Sequence, residues 1–282
     1  DAVDLPLLHA TRITDLATAR HAIESGAVDL VGMTRAHFAD PHLVAKLKRG
    51  EAGRIRTCVG ASLCINRLHL GLDSVCIQNP ATGREGTVPQ LVARSAGPRR
   101  RVIVVGGGPG GLEAARTAAE RGHAVVLFEA QDRLGGQLSL MARAGERQRE
   151  VSGLVDWLVD EVALVGVDIR LSTPVDVSDV LAEGPDVVIV ATGGTPEVSY
   201  MEMGADLVST AWDVLGGSVR PEGRVLVYDD HGAERGLAVV EFLADKADLL
   251  GVSGIEVVTP DRHVGLDLAT PLGPTYLRML YE

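Results

Sequence analysis

Short apolar runs alternate with amphipathic segments along most of this chain. A continuous apolar run of strand length is typical of a strand buried on both faces, whereas an apolar residue every three or four positions is typical of a helix. Predicted strands lie at residues 3–10, 28–33, 101–105, 124–130 and 186–194, with helices between them. This alternation predicts an α/β fold with parallel sheets.

Two βα units are predicted in the first 50 residues. The first helix spans 14–26, with Thr14 as its N-cap, and the second begins at Pro41 and ends near Lys48. Residues 51–92 show no periodicity, and a polar connector follows at 88–100. A second strand–helix–strand pass (224–230, 236–246 and 255–261) precedes a predicted helix that is cut at the last residue, so we expect a piece of a longer protein.

Charge and composition exclude several classes of function. The formal net charge of −11 argues against nucleic acid binding, because contacts with phosphates need a basic surface. No apolar run approaches the roughly 20 residues that a membrane-spanning helix needs. The spacing of the three cysteines does not indicate a disulfide framework, so we expect a reducing, cytoplasmic location.

The segment between the third predicted strand and its helix has the pattern of a dinucleotide-binding turn. Its predicted cofactor contacts are Gly106, Gly108, Pro109, Gly110 and Gly111. In such a turn the first glycine reverses the chain, the second lets the main chain approach a pyrophosphate, and the third lets the helix pack on the strand. Glu129 ends the next strand, where a carboxylate accepts hydrogen bonds from ribose hydroxyl groups.

Two later segments resemble the FAD site of two-dinucleotide-binding flavoproteins. They are RLGGQ at 133–137 and ATGG at 191–194, with predicted nucleotide contacts at Arg133, Gly136, Gln137, Ala191, Thr192 and Gly193. The second pass instead has Asp229, Asp230 and His231 where a pyrophosphate turn would be. Two carboxylates repel a diphosphate, so we expect poor NAD(P)H binding there; the same two residues equally suit a helix cap.

Cys58, Cys64 and Cys76 lie within 19 positions, and thiols clustered in this way predict a metal site. With GMTRAHFADP before them and VVGGGPGGLEAAR after them, they resemble the trimethylamine dehydrogenase and 2,4-dienoyl-CoA reductase family, and most of all its N-methylproline demethylase-like branch.

This resemblance implies four regions. Residues 1–50 would be the last two βα units of a TIM barrel, 51–97 an iron–sulfur loop and linker, 98–215 a Rossmann-like FAD- or ADP-binding domain, and 216–282 an incomplete, degenerate NAD(P)-type subdomain. It also implies that the loops after barrel strands seven and eight hold the FMN phosphate, through Thr11, Arg12, Thr34 and Arg35.

The family's cluster ligands follow the pattern C-x2-C-x2-C-x11-C. The three cysteines take its first, third and fourth positions, and Ala61 takes the second. Alanine cannot ligate iron, which leaves a 3Fe–4S cluster or a 4Fe–4S cluster with a non-cysteine ligand: water, Asn66, His69 or Asp73. Zinc held by the three thiolates and His69, or an empty relic, are the alternatives.

The resemblance finally implies a function. It is that of an FMN-dependent oxidoreductase that oxidatively demethylates a small N-methyl amine, passes electrons through the iron–sulfur cluster to an electron-transfer flavoprotein, and forms homo-oligomers. Catalytic residues are expected outside this chain. The alternatives are an NAD(P)H-dependent 2,4-dienoyl-CoA or enoate reductase and a non-catalytic, nucleotide-binding electron-relay subunit.

Overall fold

The computed structural model describes residues 4–198, 201, 203–268 and 273–281. It forms two compact units, Asp1–Ala93 and Arg94–Glu282. Every strand pairing among the described residues is parallel, so the predicted mixed α/β fold with parallel sheets is confirmed. No helix in the described ranges has the length and apolar content needed to cross a bilayer.

The first unit contains a two-stranded parallel sheet and four short helices. Its elements are β1 (Leu8–His9), α1 (Leu16–Glu24), β2 (Leu30–Val31), α2 (Thr34–Ala39), α3 (Leu43–Lys48), a 3-10 turn (Ala52–Arg54) and α4 (Leu63–His69). Ala36, Leu43 and Ile55 form its small core, against which Leu16 and Met33 pack. This core joins α2 and α3 to the segment that leads to the cysteines.

Three local predictions in this unit were wrong. Asp15, not Thr14, caps α1, since its carboxylate accepts the Thr18 N–H at 2.8 Å. Helix α2 was not predicted, and α3 begins at Leu43 instead of Pro41. The buried Asp40 between them explains the late start: its carboxylate accepts the His42 N–H at 3.0 Å and the Lys46 ammonium at 2.6 Å, which holds this stretch in a turn.

The expected strand at 3–10 is paired only at Leu8–His9. Residues 1–3 of that prediction lie outside the described residues.

The second unit contains two parallel sheets. Its elements are β3 (Arg101–Val105), α5 (Pro109–Glu120), β4 (Ala124–Phe128), α6 (Gln137–Met141), α7 (Glu146–Arg149), α8 (Gly153–Leu164), β5 (Asp168–Arg170), α9 (Val177–Ala182), β6 (Val187–Val190), α10 (Ala211–Gly216), β7 (Gly223–Tyr228), α11 (Glu234–Asp245), α12 (Ala247–Leu250), β8 (Val252–Val258) and α13 (Gly273–Tyr281), with 3-10 turns at Glu150–Ser152 and Ala205–Leu207.

The four-stranded sheet has the order β5-β4-β3-β6, and the two-stranded sheet pairs β7 with β8. Ile103, Val126 and Phe128 are buried in the first sheet and pack against Val180 of α9. Because neighbouring parallel strands end at the same edge, the turns that follow β3, β4 and β6 come together there. That edge carries the predicted nucleotide contacts.

Candidate functional site

The glycine turn after β3 is tightly built. Gly106 has a φ of +109°, and its N–H donates to Phe128 O at 2.8 Å. A Cβ atom at Gly106 would overlap the Ala191 carbonyl, whose carbon lies 2.7 Å away, and a Cβ atom at Gly111 would overlap the Gly106 carbonyl oxygen. Helix α5 therefore packs directly on the turn, and both positions require glycine.

Open space lies beside two other glycines of the turn, Gly108 and Gly110. A Cβ atom at Gly110 would meet no atom within 4 Å, and one at Gly108 would reach only the Gly136 Cα at 4.0 Å. Gly108 is the N-cap of α5, and Pro109 occupies its first turn. Uncapped N–H groups and the helix dipole attract an anion at such an end. This cradle fits the pyrophosphate of a dinucleotide.

Glu129 lies beneath the turn and is 9% exposed. One carboxylate oxygen accepts the Gly107 N–H at 2.6 Å, and the other accepts the Gln131 N–H at 2.8 Å. A carboxylate oxygen can accept two hydrogen bonds, so each retains an acceptor position for a ribose hydroxyl. Gly107 was not among the predicted contacts, although a Cβ atom there would lie 2.9 Å from Glu129 Oε2.

The two later segments meet the glycine turn. The Gly135 N–H donates to Gly107 O at 2.8 Å, and a Cβ atom at Gly136 would lie 3.1 Å from the Gly108 Cα. The Gln137 amide donates to Gly194 O at 2.9 Å, which ties RLGGQ to ATGG. Arg133, Thr192 and Gly193 are exposed in these segments. The structure thus brings all three predicted nucleotide segments together at one sheet edge.

The turn of the second pass is different. Asp229 is 2% exposed, and one of its carboxylate oxygens accepts the N–H groups of His231 at 3.2 Å and Gly232 at 3.3 Å. Asp230 is exposed. Only one of the two predicted carboxylates is therefore buried in this turn.

The three cysteines are half-buried in the first unit. Burial raises the pKa of the Cys76 thiol; the N–H groups of Gln78 and Asn79 donate to its sulfur and oppose this rise, while Cys58 and Cys64 add to it. The other two thiols therefore act electrostatically on Cys76. Three such thiols, with main-chain N–H groups aimed at one of them, fit a thiolate-bound cluster.

In the part of the chain that the structure describes, no three His, Cys, Asp or Glu side chains gather closely enough to hold a metal ion. The cluster and the zinc alternative with His69 both stay predictions. Asn66 and His69 follow Cys64 on α4 by two and five residues, about 140–200° around the helix from it. The Asp73 side chain is exposed. A cluster differs from zinc because each thiolate binds a different iron.

Main-chain contacts anchor the cysteine segment within its own unit. The Ser74 hydroxyl donates to Cys64 O at 2.9 Å, and the Thr82 hydroxyl donates to Phe38 O at 2.6 Å. The Asn79 amide also donates to Phe38 O, at 3.3 Å. None of these residues was predicted from the sequence; the signal that could have found them is their position beside Cys76, Ser74 two residues before it and Asn79 and Thr82 shortly after it.

The proposed phosphate loops follow β1 and β2. These strands are parallel, with Leu8 opposite Leu30, so Thr11 and Arg12 lie at the same edge as Thr34 and Arg35. Arg12 has a φ of +54°, a conformation that is uncommon outside glycine and recurs at ligand sites. Arg35 is half-buried, and the other three are exposed.

Comparison with known proteins gives consistent matches. The model of the FAD dependent oxidoreductase family matches residues 101–178. The N,N-dimethylglycine/sarcosine dehydrogenase of Chromohalobacter salexigens is 47% identical over the whole chain, and the "Probable N-methylproline demethylase" of Rhizobium meliloti is 44% identical over the whole chain. A solved 2-naphthoyl-CoA reductase superposes with a TM-score of 0.88 and 26% identity over 99% of the chain and 41% of its own length.

The chain belongs to the trimethylamine dehydrogenase and 2,4-dienoyl-CoA reductase family. The predicted family is therefore confirmed. The chain spans about two fifths of the two curated relatives, 41% and 40% of their lengths. The residues matched by the family model include the glycine turn and Glu129.

Proposed function

We propose that this chain is part of a flavin-dependent oxidoreductase that oxidatively demethylates a small N-methyl amine. The observation that carries the proposal is the convergence of the three glycine segments over Glu129, which suits FAD or ADP. The names of two relatives, a dimethylglycine/sarcosine dehydrogenase and an N-methylproline demethylase, supply the substrate class.

The nucleotide site is proposed to use the turn as its pyrophosphate cradle and Glu129 as its ribose contact. Gly108 and Gly110 would face the phosphates, because open space lies beside both. Arg133, Gln137 and Thr192 would complete the site from the two neighbouring segments. This assignment places the nucleotide domain at residues 98–215.

Residues 1–50 are proposed to be the last two βα units of a TIM barrel. Strands β1 and β2 are parallel, and Leu8 and Leu30 remain 63% and 55% exposed. A two-stranded sheet with exposed apolar residues is not stable alone, so further strands would cover it. Arg35 and Arg12 would then bind the FMN phosphate at the carboxyl edge, where barrel enzymes hold their ligands.

Cys58, Cys64 and Cys76 are proposed to hold an iron–sulfur cluster within region 51–97. Because Ala61 replaces the fourth thiolate and the nearby side chains of α4 lie away from Cys64, the cluster would be 3Fe–4S or would have water on one iron. The N–H groups of Gln78 and Asn79 would stabilise charge on the Cys76 sulfur.

Oxidative demethylation of an N-methyl amine requires an oxidant that takes two electrons. Removal of two electrons and a proton from an N-methyl group gives an iminium ion, and water then releases formaldehyde and the demethylated amine. When bound, the flavin would accept the two electrons, and the cluster would carry them singly toward an electron-transfer flavoprotein. The residues of this chain would bind and orient these groups.

The test is anaerobic mixing of the full-length protein with N,N-dimethylglycine or N-methylproline. We expect the flavin absorbance to bleach and formaldehyde to form, whereas NADH should leave the flavin oxidised. Iron, sulfide and flavin analysis with an EPR spectrum tests the cofactors separately. Iron-free protein would remove the cluster from the proposal, and a flavin that no amine reduces would remove the function.

A second candidate is an NAD(P)H-dependent reductase of an enoate or an acyl-CoA. The structural match to 2-naphthoyl-CoA reductase favours it. Rapid bleaching by NADH or NADPH, without bleaching by either amine, would support this reductase instead.

A further inference from the structure

The geometry points to Asp229 as an internal anion that occupies the phosphate position of the second strand–helix–strand pass and thereby closes it to NAD(P)H. The inference rests on the proposed function, because it names the residue that would exclude a nicotinamide nucleotide as electron acceptor. It concerns β7, α11 and β8, which lie in one compact unit.

The Asp229 carboxylate lies against the first turn of α11. A Cβ atom at Gly236 would overlap this carboxylate, whose Cγ would be 2.6 Å away and whose Oδ2 would be 3.1 Å away. Gly236 and Gly111 both precede a leucine near the start of the helix of their unit. At Gly111 the close neighbour is a main-chain carbonyl, and the space toward Gly108 and Gly110 is open. At Gly236 the close neighbour is a carboxylate.

The burial and the surroundings of Asp229 suit an anion that takes the place of a bound phosphate. Asp229 is 2% exposed, and its Oδ2 is buried without a hydrogen-bond partner among the described residues. A buried carboxylate is costly unless positive charge or hydrogen bonds compensate it. Here the compensation comes from the N–H groups of His231 and Gly232 and from the start of α11, a helix of 12 residues.

A second carboxylate adds to the exclusion. A Cβ atom at Gly232 would overlap Asp261 Oδ2, and the Asp267 N–H donates to Gly232 O at 2.8 Å, so the segment after β8 closes over the turn. A diphosphate would have to displace Asp229 and approach Asp261. Both contacts are repulsive, because like charges at such distances oppose binding.

The experiment is isothermal titration calorimetry of NADH into the full-length protein, with saturating ADP present to fill the first nucleotide site. The variants are Asp229→Ala and the nearly isosteric Asp229→Asn. The matched control is Asp230→Asn, which removes the same charge from the exposed neighbouring position. Circular dichroism verifies that each variant is folded.

We expect the wild type and Asp230→Asn to bind no NADH at concentrations up to about 1 mM, the upper end of ordinary KM values. The Kd of Asp229→Ala for NADH should lie at least roughly tenfold below that limit, and Asp229→Asn should show a smaller gain in affinity. If Asp229→Ala does not fold, a higher NADH affinity of Asp229→Asn than of Asp230→Asn would support the inference.

Two results would overturn the inference: folded Asp229 variants that bind no better than Asp230→Asn, or wild-type protein that binds NADH as tightly as they do. The readout is binding and needs no turnover. A protein that oxidises no amine but gains NADH binding in Asp229→Ala would refute the proposed function alone.

Discussion

The two strand–helix–strand units of the second compact unit share a topology but differ at one turn. In β3–α5–β4 the turn is built from glycine, and open space lies beside Gly108 and Gly110. In β7–α11–β8 the same place holds the buried carboxylate of Asp229. In the two assignments proposed above, the start of the crossover helix faces an anion in both units. The turn decides whether that anion comes from a ligand or from the protein.

Gly111 and Gly236 lie at equivalent places, but each must be glycine for a different reason. Gly111 accommodates a main-chain carbonyl, and Gly236 accommodates a side-chain carboxylate. Both glycines permit a close approach to the helix, which is the physical requirement of the fold. Only the first leaves the helix end open to a nucleotide.

The largest expected effect is that of Gly111→Ala. Its Cβ atom would overlap the Gly106 carbonyl oxygen, so α5 or the turn must shift. We expect the free energy of unfolding to fall by about 3 kcal/mol, the upper part of the range for overpacked sites. Urea unfolding without added nucleotide measures this. Gly110→Ala is the control, since its Cβ atom would meet nothing within 4 Å; an equal loss in both variants would contradict the tight packing.

The second largest effect is expected for Glu129→Gln, in β3–α5–β4. The Glu129 carboxylate accepts hydrogen bonds from two main-chain N–H groups. In glutamine, the NH2 group would face one of these donors, and the negative charge is lost. Hydrogen bonds to charged groups are worth about 1.5–3 kcal/mol, so ADP or FAD affinity should fall by roughly 10- to 100-fold. Equilibrium dialysis measures the affinity, with Asp132→Asn, at an exposed position, as the charge-matched control. Unchanged affinity in Glu129→Gln would exclude a ribose contact.

A double-mutant cycle tests the contact between Asp229 and Gly236 in β7–α11–β8. Gly236→Ala should destabilise the wild type by about 2 kcal/mol, because its Cβ atom would overlap the Asp229 carboxylate. In an Asp229→Ala background the same change should cost at least about 1 kcal/mol less. Chemical unfolding of the four proteins gives the coupling. Additive effects would show that Asp229 does not lie on Gly236.

The smallest expected effect concerns the N-cap of α10, the helix that precedes β7. The Thr210 hydroxyl and N–H both donate to Asp213, at 2.7 and 2.9 Å, and these hydrogen bonds lower the pKa of the Asp213 carboxyl. A lowered pKa stabilises the fold above the unfolded value of about 3.9 and loses that contribution as pH falls through the folded value. Because Asp213 is only half-buried and solvent screens its charge, we expect only a few tenths of a kcal/mol.

The measurement is urea unfolding of the wild type and Asp213→Asn between about pH 3 and pH 6. The stability difference between the two proteins should be constant above about pH 5 and should shrink below the ordinary aspartate pKa. Asp206→Asn, at an exposed position, is the control and should show no such trend. A difference that grows at low pH would reverse the sign of the argument.

The sequence alone determined the class of fold and the position of the nucleotide turn. Apolar runs of strand length separated by helices are typical of parallel sheets, and the Gly106–Gly111 spacing after a strand is typical of a dinucleotide-binding turn. The closely spaced cysteines indicated a metal site for the same local reason. Each of these signals lies within about 30 residues of chain, the length of one βαβ unit.

Only the tertiary structure decided which groups meet. Gly107 donates to Glu129 across 22 positions, and Gln137 donates to Gly194 across 57, so no local pattern could reveal either contact. Asp229 and Asp230 are indistinguishable in the sequence pattern, but the fold buries only Asp229, against Gly236. Burial and long-range contact depend on the packing of distant elements, whereas a turn depends on a few neighbouring residues.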